Sequence, residues 1–123
     1  MKQFRTLFAL GAALAVTIAA PAPALAHAHL VRSTPAANAQ LKTGPRTITL
    51  TFNERLVPSF SKFELTMPAH DMKVPVQTAI SRDGKRIVGT LRSPLTKGAY
   101  TVAWTAAGAD GHKMTGTLNF KVG

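Results

Sequence analysis

From the first histidines onward, apolar and polar residues alternate with a period of two. In Arg46–Phe52, Ile48, Leu50 and Phe52 share one face and Thr47, Thr49 and Thr51 the other. Lys62–Met67 repeats the pattern with Phe63, Leu65 and Met67, and Lys73–Ile80 carries Val74 and Val76. Lys85–Leu91 offers Ile87, Gly89 and Leu91; Ala99–Thr105 offers Tyr100, Val102 and Trp104; Met114–Val122 offers Leu118, Phe120 and Val122. This alternation predicts strands with one buried face. With His29–Ser33 they number about seven. No helical period of 3.6 runs through this part of the chain. Asn53–Ser61 has room for one helical turn, broken by Pro58.

The connections carry turn chemistry. Asp83-Gly84 between two alternating runs predicts a tight hairpin. Pro35 to Asn38, Thr43-Gly44-Pro45 and Pro94 to Gly98 read as loops. Short strands at this spacing predict an all-β fold: an antiparallel Greek-key sandwich or barrel of the immunoglobulin-like kind. Leu95–Tyr100 resembles a corner in which the tyrosine hydroxyl bonds back to nearby backbone, the alternative being an ordinary core aromatic.

Residues 1–26 differ in kind. Lys2 and Arg5 precede an uncharged apolar run, Thr6–Ala20, and Pro21–Ala26 closes on Ala-x-Ala. That is the layout of a secretory signal peptide, with cleavage expected after Ala26. The run is short of the roughly 20 residues that cross a bilayer, though an uncleaved anchor is the alternative. Residues 27–123 then form one domain, expected in the periplasm with no integral membrane segment after processing. The leader holds two of the fifteen basic residues and none of the five acids, so this domain carries +8 of the formal +10. In an exported chain that charge points to anionic lipid or an acidic partner rather than to nucleic acid. There is no cysteine. Blue-copper sites, thiolate zinc sites and iron–sulfur clusters are thereby excluded.

Candidate chemistry rests on histidine. Cleavage after Ala26 would make His27 the terminus, where a free α-amine and an imidazole belong to one residue. An α-amine titrates at roughly 8, so a metal displaces its proton readily. Asp110-Gly111-His112, before the last predicted strand, is the second element: Gly111 permits a tight turn, and Asp and His can face one side. Taken singly, each has a plain alternative, a frayed terminus and an Asp-Gly turn. Together they offer an amine, two imidazoles and a carboxylate. Such a set suits tetragonal Cu(II), with Zn(II) and Ni(II) bound less tightly. It requires the first strand to lie beside the turn before the last.

The stretches His27-Ala28-His29-Leu30-Val31 with Ser33-Thr34-Pro35, Leu50-Thr51-Phe52-Asn53-Glu54, and Ala109-Asp110-Gly111-His112…Gly116…Phe120-Lys121-Val122 resemble the copper-resistance protein CopC family. The likeness spans essentially all of residues 27–123. It implies a periplasmic Cu(II) carrier or buffer in copper homeostasis and resistance, on a Greek-key sandwich. One Cu(II) per mature chain would be held by the His27 amine and imidazole, Asp110 and His112. Glu54 matches a family glutamate close to that site, beside the ligands or weakly on the ion. His29 is expected near the metal without being a required ligand. An inner-membrane copper-handling protein of the CopD type is the implied partner.

Some relatives carry a longer methionine-rich loop with a Cu(I) site where this chain has Met67, His70 and Met72. Met67 continues the Phe63/Leu65 face, which favours a core role. Only a weak Cu(I) site is expected there, and Met114 is assigned to packing or surface. Two other functions remain open at this level. One is a copper monooxygenase with the same histidine brace, disfavoured by the Asp110 ligand and by a lack of exposed stacking rings. The other is a metal-free structural or adhesive domain.

Overall fold

In the computed structural model, residues 11–13, 15, 16 and 27–123 are described. The expected signal peptide lies outside them apart from those five positions, which belong to no regular element. Among the described residues nine strands form: β1 (Leu30–Thr34), β2 (Gln40–Leu41), β3 (Thr47–Phe52), β4 (Lys62–Met67), β5 (Met72–Val74), β6 (Gln77–Ile80), β7 (Arg86–Thr90), β8 (Gly98–Ala107) and β9 (Lys113–Val122). They build two sheets, β1-β3-β7-β6 and β2-β9-β8-β4-β5, so the fold is a sandwich rather than a closed barrel. No helix among the described residues is long and apolar enough to cross a membrane.

Two strands exceed the predicted set. The run Lys73–Ile80 is divided at Pro75, which has no N–H to give a ladder. Its first part, β5, pairs with β4 in one sheet; its second, β6, pairs with β7 in the other. The two-residue β2 is too short to show a period, and it runs parallel to β9, an exception to the antiparallel expectation. Pro58 opens a 3₁₀ turn, Pro58–Phe60, instead of breaking one. At the first position of a turn its missing N–H leaves no partner unsatisfied.

The alternating faces meet between the sheets. Ile48, Leu50, Phe52 and Ile87 come from one, and Phe63, Leu65, Val102 and Phe120 from the other, all nearly inaccessible to water. Phe52 meets Trp104 edge to face at 5.2 Å, an arrangement that the ring quadrupoles favour. Tyr100 is buried, and its hydroxyl donates to the Thr96 carbonyl at 2.6 Å, forming the expected corner. Tyr100→Phe removes this bond while keeping the ring. It is expected to cost about 1 kcal/mol, read as a thermal midpoint lowered by roughly 4–8 °C. An unchanged midpoint would show that the corner adds nothing.

The longest pairing is β8 with β9, in register from Gly98↔Val122 to Ala107↔Lys113. That register leaves 108–112 as the loop at one end of the sandwich. β1 pairs with β3 from Leu30↔Phe52 to Thr34↔Thr49, which brings residues 27–29 to the same end.

Candidate metal centre

The 108–112 loop is shaped by its own hydrogen bonds. Gly111 N–H donates to the Gly108 carbonyl at 3.0 Å, and Gly111 takes φ 77°, a left-handed value that a side chain would strain. Asp110 Oδ1 accepts from the His112 backbone N–H at 3.1 Å. The other oxygen, Oδ2, is thereby turned toward two imidazoles. His112 Nδ1 lies 3.2 Å from it and His27 Nδ1 3.5 Å. The two rings face one another with centroids 5.2 Å apart.

One ligand atom from each of His27, Asp110 and His112 can be chosen so that all three lie within 4.8 Å of one another. Nitrogen and oxygen ligands sit roughly 2.0–2.2 Å from a small divalent ion, so opposite ligands are about 4 Å apart and adjacent ones about 3 Å. A contraction of under an ångström would bring this trio to that spacing. The Nδ1 atom of His27 faces inward. In a processed chain it would close a six-membered chelate ring with the α-amine of the same residue. The donor set fits a borderline divalent ion and lacks the sulfur that a soft ion prefers. The site is open: 67% of the His112 side chain is exposed, against 21% for Asp110.

Glu54 and His29 fall outside that trio. Glu54 follows β3 and lies against the base of the loop. A Cβ on Gly108 would stand 1.6 Å from its Oε1, so the missing side chain at Gly108 makes room for the carboxylate. His29 is exposed, with its backbone held by Asn53. Alternation did not single out Asn53; the available signal was its place directly after the strand that pairs with β1.

Met67, His70 and Met72 lie at the end of β4 away from Lys62, which pairs with Thr105 near the 108–112 loop; the strand alone runs about 17 Å at the usual rise per residue. Met67 is buried and belongs to the core, as its alternation predicts. Met72 stands opposite it across the β4/β5 pair and is largely exposed, and His70 ends an exposed 3₁₀ turn, Pro68–His70.

A model of the CopC domain family matches residues 30–123. Copper resistance protein C of Xanthomonas campestris pv. juglandis is 38% identical over 128 residues, covering 99% of each chain. Copper resistance protein C of Pseudomonas syringae pv. tomato is 41% identical over 126 residues, 98% of this chain and 94% of its own. The crystal structure of PcoC, a methionine-rich copper resistance protein from Escherichia coli, matches with a TM-score of 0.73 at 37% identity. That match covers 80% of this chain and 100% of PcoC.

Proposed function

The chain belongs to the CopC family of copper resistance proteins, a family that binds copper rather than catalysing, and from that premise we propose that residues 27–123 act as a periplasmic Cu(II) carrier or buffer. One Cu(II) is the cargo, held by the His27 amine and imidazole, Asp110 and His112. The observation that carries this reading is the convergence of His27 Nδ1 and His112 Nδ1 on one Asp110 oxygen. In the 123-residue chain the His27 nitrogen is a peptide amide. Removal of residues 1–26 by a signal peptidase turns it into the fourth donor, so export and activation are one event.

Release proceeds by ligand exchange. Because His112 projects from a loop and is mostly exposed, a partner's ligands reach the ion without any core residue moving. A CopD-type inner-membrane protein is the proposed recipient. Net positive charge, with Lys113 directly after His112, favours approach to an acidic or anionic surface. A polysaccharide-oxidising reading finds less support. Trp104 and Tyr100, the large rings that would stack on sugars, are both buried.

The test is titration of the processed protein, starting at His27, with Cu(II) under electron paramagnetic resonance. One equivalent with a type 2 spectrum and three coupled nitrogens is expected. Absence of binding, or a spectrum without nitrogen coupling, rejects the site. Glu54 is proposed to steady this centre from beside it. Glu54→Ala and Gly108→Ala should each weaken Cu(II) binding by about tenfold, the lower range for partners of metal ligands. The two act alike because an alanine at 108 occupies the place of the carboxylate. Parental affinity in Gly108→Ala alongside a loss in Glu54→Ala would show that this contact does not seat Glu54.

A further inference from the structure

His27 precedes the first strand, where a chain end ordinarily frays. Here the segment leading to β1 is tied down by one residue. Regular pairing of β1 with β3 begins at Leu30↔Phe52, and Asn53 continues the attachment beyond it. The Asn53 backbone N–H donates to the His29 carbonyl at 3.1 Å. Its side-chain Oδ1 accepts from the His29 N–H at 2.7 Å. Its Nδ2 donates to the His27 carbonyl at 3.4 Å. The side-chain amide thus acts as a peptide group would in a neighbouring strand, offering one acceptor and one donor.

These side-chain bonds hold both peptide groups flanking Ala28, and Ala28 itself is wholly buried. The freedom left to His27 is rotation about its own Cα–C bond and its side-chain torsions. Those rotations place the amine and the imidazole. We propose that Asn53 is a positioning residue for the N-terminal copper ligand: it does not touch the ion, and it orders the His27 backbone before the metal arrives. This rests on the reading of His27 as a ligand. Asparagine suits the task because leucine has the same shape without the polar atoms, and aspartate would set a second acceptor against the His27 carbonyl.

The experiment uses processed parent, Asn53→Leu and Asn53→Ala. Asn53 is exposed, so both variants should keep the parental thermal midpoint within a few degrees. Three readouts are taken: Cu(II) affinity by chelator competition, hydrogen exchange of the His29 amide in metal-free protein, and the copper spectrum with and without added imidazole. Both variants should bind Cu(II) about 10- to 100-fold more weakly. Both should exchange the His29 amide faster. Both should accept imidazole from solution as a replacement nitrogen more readily than the parent. Parental affinity and spectrum in both variants would overturn the proposal, as would weakened binding explained by a collapsed thermal midpoint. A parent without three coupled nitrogens would instead overturn the reading of His27 as a ligand.

Discussion

One extra residue ahead of His27 in the processed protein is expected to weaken Cu(II) binding by at least about 100-fold, roughly 2.7 kcal/mol. The extension converts the amine to an amide. A neutral amide nitrogen is a poor donor and yields its proton to a metal far less readily than an ammonium group does, so the chelate ring with His27 Nδ1 is disfavoured. Two imidazoles and the Asp110 carboxylate remain. The nine strands of the described residues lie within 30–122, so the fold should be untouched and circular dichroism unchanged. The spectrum should fall from three coupled nitrogens to two. Proton linkage gives a second reading. Below a pH of roughly 8 an α-amine is protonated, and copper must displace that proton. Affinity of the parent should therefore fall with acidification by one decade per pH unit more than that of the extended form. Equal affinities and equal slopes in the two proteins would end the claim that the amine is a ligand.

His112→Ala is the second large effect, also expected at about 100-fold or more in Cu(II) affinity. Its side chain is mostly exposed, so removal should alter stability by no more than about 0.5 kcal/mol. The loss would then be read in copper binding alone. The same variant tests the coupling between the two halves of the site. Residues holding one ion do not contribute independently, so combining His112→Ala with the extension should depart from the sum of the single losses. Binding by His112→Ala as tight as the parent's would place the metal elsewhere.

Much of the fold was legible because strand patterning is local. Ile48/Leu50/Phe52 and Phe63/Leu65/Met67 declare their buried faces within six residues, and those faces form the core. The division at Pro75 was harder to read. Proline explains why the ladder stops there, but which sheet each half joins depends on partners far along the chain. Likewise β2 has no period of its own; it exists because β9 offers an edge.

Residue types and spacing by themselves determined the chemistry available. With no cysteine, strong ligands were limited to imidazole, carboxylate and amine, and the Asp-Gly-His turn kept two of them together. The tertiary structure alone decided that His27 lies against that turn. The juxtaposition is made by two pairings, β1 on β3 and β8 on β9, which bring the first and last strands to one end of the sandwich. It alone showed Asn53 holding the segment before β1, and Gly108 leaving space for Glu54. Such contacts join residues distant in sequence through specific hydrogen bonds and close approach. A period-two pattern reports which face of a strand is dry, and it carries no information about what lies beyond the strand's end.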